Sequence, residues 1–172
     1  KGGVELAEAL AVVLAERPDW RAHLLVSRSS FFPEIVERMR AAVAPVAGQV
    51  TLDTDRPFAD VVDLLTSAAI AVVPTLNDEP FGRAALEAMA GGATLVTSIN
   101  GGLAEVAGDT GIPISPVSAD TIARALGPVL DSDELRDDLA KQGLARALDL
   151  FDLAPVTDRL DSVYDTVLST SR

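Results

Sequence analysis

The stretch Asn77-Asp78-Glu79-Pro80-Phe81-Gly82-Arg83-Ala84-Ala85-Leu86-Glu87-Ala88-Met89-Ala90-Gly91-Gly92 decides how this chain reads. Just before it, Ala69 to Pro74 is an apolar run of the kind that predicts a strand covered on both faces. Phe81 to Ala90 predicts a helix stopped by Gly91 and Gly92, and Ala93 to Ser98 repeats the buried-strand signature. A strand, a turn, a helix and a second buried strand make the βα repeat of a parallel sheet.

The same alternation extends in both directions. Upstream, Leu6, Leu10, Val13 and Leu14 recur at helical spacing with Glu5, Glu8 and Glu16 off the stripe, until Pro18 stops the pattern. His23 to Ser27 predicts a strand opening into the loop Arg28 to Phe32, and Pro33 to about Ala44 a helix. Val50 to Asp53 predicts a brief strand, and Pro57 opens a helix bearing Phe58, Val61, Val62 and Leu65. Downstream, Gly111 to Ser115 predicts a last strand, followed by helices over Asp120 to Leu130, Glu134 to about Leu148 and Val156 to Leu168. In the last of these, Val156, Leu160, Val163, Tyr164, Val167 and Leu168 form an apolar stripe. Strands alternating with helices predict an α/β, Rossmann-like, doubly wound parallel sheet with right-handed crossovers. Its ligand crevice should lie at the carboxyl ends of the strands, where helix N-termini offer unpaired N–H groups to anions.

At 172 residues the chain is one domain's worth, 48% apolar but only 4% aromatic, so its core must be built from Ala, Val, Leu and Ile. A formal net charge of -12 repels phosphate backbones and anionic headgroups, which argues against a nucleic-acid or membrane-surface role. Without cysteine, and with His23 as the lone histidine, neither a thiolate site nor an imidazole cluster can form. Asp53-Thr54-Asp55 has the spacing of a metal-binding Asp-x-Asp, but no further clustered ligands accompany it, so no metal and no cofactor are expected.

Glu79 falls in the turn at the helix mouth, and Glu87 follows at an angular offset of roughly 80° on a 3.6-residue period. The two need not face each other across a scissile bond, as a glycosidase pair does at about 5 to 10 Å. Each can instead accept hydrogen bonds from a vicinal diol, while Phe81 and Gly82 supply backbone N–H groups at the helix start for an anion. Gly101-Gly102 taken alone reads as an ordinary turn, His23, Trp20 and Tyr164 as packing residues, and Phe31-Phe32 as loop packing or an interface patch.

In combination, Glu79-Pro80-Phe81-Gly82, Glu87-Ala88-Met89-Ala90-Gly91, then Gly101-Gly102 and Glu105 resemble the group 1 family of retaining glycosyltransferases, marked by two Glu with seven residues between them. The resemblance covers nearly the whole chain, from Lys1-Gly2 to the helix that ends it. It implies the C-terminal half of a GT-B fold, which binds a nucleoside-diphosphate sugar. It also implies that Glu87 holds the ribose hydroxyls, that Glu79 orients the transferred sugar, that backbone at Phe81 and Gly82 fixes it, and that Lys1 meets the diphosphate. Gly101 and Gly102 match a further family position and are donor-binding candidates, as are Asp53 and Thr54 as base contacts. Ser27 to Phe32 and Asp53 stand where the family commonly has glycine turns, so the donor's base does not carry over.

The family's first strand, with its partner arginine, precedes the lysine and sits mid-sheet; it and an N-terminal acceptor-binding domain are expected to be missing from this chain. The expectation is therefore a metal-independent hexosyl transfer from a UDP- or GDP-sugar in the cytoplasm, with the fragment alone inactive. The alternatives are a nucleotide-sugar epimerase of the same fold and a non-catalytic ligand-binding or scaffold domain.

Overall fold

A computed structural model describes residues 1–27 and 29–170. In chain order it holds α1 (Gly3–Ala15), β1 (Ala22–Val26), α2 (Pro33–Ala42), β2 (Val50–Thr54), α3 (Phe58–Ser67), β3 (Ile70–Val73), α4 (Arg83–Ala90), β4 (Thr94–Ser98), α5 (Gly102–Ala107), β5 (Ile112–Ile114), α6 (Ala119–Asp131), α7 (Asp133–Phe151) and α8 (Leu153–Thr170). Every strand pair is parallel, as the βα alternation requires.

The strands form two sheets. β1 pairs with β2, Leu24 opposite Leu52, while β3, β4 and β5 form a separate sheet in that order. No ladder joins the two among the described residues.

α1 bridges the two sheets. Val4, Ala7, Leu10 and Leu14 of its inner face share one core with Leu24 of β1, Val96 of β4, Ile114 of β5, and Ile122 and Leu126 of α6. The opposite face of β4 belongs to a second core, where Leu95 meets Ala85, Ala88 and Met89 of α4, Leu103 and Val106 of α5, and Ala147 of α7. β4 is thus buried along its whole length between helices on both sides, and its buried Thr94, Thr97 and Ser98 hydroxyls donate to backbone carbonyls. The alanines at the α4 contact have no exposed surface, so the helix lies close on the sheet without needing aromatic filler.

α6 is opened by a reciprocal cap, Ser118 accepting from the Thr121 N–H while the Thr121 hydroxyl accepts from the Ser118 N–H. Arg136 donates to the Val129 and Leu130 carbonyls at the far end of α6, and its guanidinium stacks 4.9 Å over the Trp20 ring.

Two expectations change. The six-residue helix α5 was not foreseen, because a single turn and a half carries no legible period. Tyr164 was read as a packing residue, yet it is 58% exposed and stands with Leu160, Val163, Val167 and Leu168 on a stripe of α8 open to solvent. Residue 28, part of the loop expected after β1, lies outside the described residues. Among the described residues no helix is long and apolar enough to cross a membrane.

Candidate functional site

The site grows from the carboxyl ends of β3 and β4. After Val73 the chain leaves β3 through Pro74, and Gly2 lies against the Pro74 carbonyl, where an added Cβ would fall 1.9 Å from its oxygen. Gly2 also has φ +69°, so glycine is required both by its torsion and by this approach. The contact sets the start of α1 beside the loop that precedes α4.

There Lys1 Nζ donates to Glu79 Oε1, the Lys1 side chain 77% exposed and that of Glu79 20%. Thr75, itself only 3% exposed, turns its hydroxyl toward the same oxygen at 3.4 Å. α1 and α4 begin at Gly2 and Gly82, both left-handed, and neither helix end carries a side-chain cap. Their first N–H groups and partial positive ends therefore remain for an anion close to the ammonium of Lys1.

The turn that carries Glu79 is held by the loop after β4. Glu79 and Gly101 form a parallel bridge, Gly102 N donates to the Glu79 carbonyl at 2.7 Å, and Asn100 Nδ2 donates to the Thr75 carbonyl at 2.9 Å. A Cβ on Gly101 would sit 2.5 Å from the Glu79 oxygen, and one on Gly102 2.6 Å from that of Pro80. Gly101 and Gly102 thus pack directly under the acidic turn, and the Gly102 N–H is already taken. Gly82, at φ +99°, rests on Leu103, where a Cβ would meet Cδ2 at 2.6 Å. Helix α4 begins after it, so Phe81 precedes the helix rather than opening it, and its ring packs edge-on against Phe151 with centroids 5.8 Å apart.

Glu87 stands apart from Glu79. It is the fifth residue of α4, its Oε1 3.1 Å from Nη2 of Arg83, whose guanidinium lies 6.0 Å from the Phe58 ring centre on α3. It borders an apolar cleft of about 220 Å³ between α3 and α4, lined also by Val62, Leu65, Thr66, Ala90 and Gly91. Glu79 does not line that cleft: the structure brings Lys1 and Glu79 together and leaves Glu87 on the α3 side of α4.

Asp53 and Thr54 end β2. The Arg56 guanidinium hydrogen-bonds the Asp53 carboxyl at 3.1 Å and holds it below the usual carboxylate range; His23, 3.4 Å away, adds to the effect. His23 is therefore a half-exposed hydrogen-bond partner of Asp53 rather than the packing residue expected. One residue on, Asp55 takes a left-handed φ of 53° and accepts from Ser29 N at 3.2 Å, tying the loops after β1 and β2 together. No group of three or more His, Asp or Glu that could hold a metal occurs among the described residues. Thr75 and Asn100 were not foreseen: single polar residues in loops have no period, and only the fold brings residues 75 and 100 into contact.

Comparison with known proteins gives the same architecture. The family of glycosyl transferases group 1 matches residues 25–146. A D-inositol 3-phosphate glycosyltransferase from Corynebacterium aurimucosum is 30% identical over 98% of this chain and 41% of its own length. The crystal structure of the C-terminal domain of a glycosyl transferase group 1 family protein from Francisella tularensis superposes with a TM-score of 0.76 at 25% identity, over 89% of this chain and 80% of that one. Anabaena HepE, in complex with UDP and glucose, superposes with a TM-score of 0.79 at 21% identity, over 94% of this chain and 44% of that one. The chain spans less than half the length of the Corynebacterium relative.

Proposed function

The chain belongs to the group 1 glycosyl transferases, and we propose that it is the donor-binding domain of a retaining enzyme that moves a hexose-type sugar from a UDP- or GDP-sugar to an acceptor. The observation that carries this reading is the meeting of Lys1 and Glu79 between the uncapped starts of α1 and α4. A diphosphate is matched by an ammonium and two helix N-termini, and fixed positive charge of this kind stabilises a departing nucleoside diphosphate without a metal. Glu79, beside that charge, accepts hydrogen bonds from hydroxyls of the sugar and sets its anomeric carbon; backbone at Phe81 and Gly82 completes the cradle. Glu87 takes the ribose hydroxyls from the α3 side, exchanging its bond to Arg83 for theirs, with Asp53 and Thr54 toward the base. Gly101 and Gly102 serve by supporting the acidic turn.

Transfer needs an acceptor and a site closed to water, and both are assigned to a second, N-terminal domain. The apolar stripe of α8, from Val156 to Leu168, is a surface suited to such a neighbour. The reaction is placed in the cytoplasm.

Calorimetry of the chain with UDP, GDP and UDP-glucose tests this reading. Binding of one diphosphate, weakened in Glu87→Ala and in Lys1→Ala, is expected. Undiminished binding in Glu87→Ala would remove its ribose role, and no binding of any of the three would remove the donor assignment.

A further inference from the structure

We infer that Asn100, with Thr75, is a positioning residue for Glu79, acting through the loop 75–79. This rests on the reading of Glu79 as the group that orients the sugar. The loop is pinned at both ends by residues from beyond β4. Asn100 Nδ2 donates to the Thr75 carbonyl at 2.9 Å, and Gly102 N donates to the Glu79 carbonyl at 2.7 Å. The Gly102 contact is a backbone bond that any residue able to fit there would make, whereas the Asn100 contact depends on a side-chain amide.

Thr75 adds the second half of the device. It is almost fully buried, and its hydroxyl approaches Glu79 Oε1, the oxygen that Lys1 also engages. Among the described residues both hydrogen bonds to this carboxylate fall on Oε1 and none on Oε2. The carboxylate is therefore held by one oxygen, with the other available to a sugar hydroxyl, and a carbonyl at the root of the loop fixes where Thr75 stands. Loss of the amide removes the side-chain bond to the Thr75 carbonyl, and the loop that carries Glu79 loses one of its two anchors.

The variants are Asn100→Ala and Thr75→Val, with Thr75→Ser as the conservative rescue and Glu79→Gln as the reference. The readout is the ratio of UDP-glucose to UDP affinity by calorimetry, since a contact to the sugar moves that ratio whereas a change at the diphosphate moves both affinities together. Asn100→Ala and Thr75→Val are each expected to lower the ratio about fivefold, the worth of one hydrogen bond, with UDP affinity kept, and Thr75→Ser to restore it. An unchanged ratio in both variants, or an equal fall for UDP and UDP-glucose, overturns the inference. If Glu79→Gln itself leaves the ratio unchanged, the sugar-orienting reading fails instead. A ligand-independent arm is the crystal structure of Asn100→Ala: Glu79 is expected in a different rotamer, and the same Glu79 placement in variant and parent overturns the positioning role.

Discussion

The ammonium of Lys1 and the carboxylate of Glu79, seventy-eight positions apart in sequence, are hydrogen-bonded to one another at the carboxyl end of β3. In that pairing the residue proposed to meet the diphosphate neutralises the one proposed to meet the sugar. On the proposed reading, a bound diphosphate would compete for the ammonium and leave Glu79 to accept hydroxyls.

Replacing Lys1 by Met removes that ammonium. UDP affinity is expected to fall about tenfold at low salt, within the range for hydrogen bonds to charged groups. Because the side chain is 77% exposed, the gap between parent and variant should narrow as salt is added. Calorimetry at two ionic strengths reads both effects, and equal affinities at low salt would count against a phosphate role for Lys1.

The glycine under the acidic turn is expected to be far less replaceable than one on a helix. Gly101 has φ 59° and ψ -134°, and a Cβ there would stand 2.5 Å from the Glu79 carbonyl oxygen. Gly101→Ala should cost about 2 kcal/mol or more, torsional strain adding to the clash. Gly127, in α6, has nothing within 4 Å of an added Cβ, and Gly127→Ala should stabilise by about 0.5–1 kcal/mol. Urea unfolding of the two variants checks that their signs are opposite.

Acid should weaken the fold through two carboxyls. Hydrogen bonds from Arg56 to Asp53 and from Arg17 to Asp131 hold both below their ordinary 3.8. A folded-state value lower than the unfolded one means stability that is present above about pH 4 and lost as the pH falls through the depressed value. Asp53→Asn and Asp131→Asn should each flatten the acid side of a plot of melting temperature against pH; superimposable curves with the parent would refute it.

Substitutions along α8 should separate a docking surface from a core. Leu160 and Val163 are 49% and 58% exposed, so Leu160→Ser and Val163→Ser should change the chain's stability by no more than about 0.5 kcal/mol each. Met89 has no exposed surface, and Met89→Ala should cost about 2–5 kcal/mol. If the α8 variants cost as much as the core variant, the stripe is packed in solution and the proposed docking face is withdrawn.

Much of the fold was legible because buried parallel strands declare themselves. Ala69 to Pro74 is apolar throughout and Ala93 to Ser98 is made of small and β-branched residues about Leu95, as strands between two helical layers require, and they became β3 and β4. Helices with a long one-sided stripe, α1 and α6 among them, were equally readable. The pairing register of the strands was not, since it depends on which edges lie within hydrogen-bonding reach, and no strand states its neighbour. Nor was α5, too short to repeat.

The amino-acid order alone determined the βα alternation, the acidic turn at the mouth of α4 and the small residues that let that helix lie flat on β4, because all of these are local: spacing, propensity and side-chain size. Tertiary structure alone decided that Lys1 reaches Glu79, that Asn100 grips the Thr75 carbonyl, that Glu87 turns toward α3, and that the α8 stripe stays in solvent. Each of those is a meeting of residues distant in sequence, or the lack of one, and it follows from how the layers close on each other rather than from any pattern along the chain.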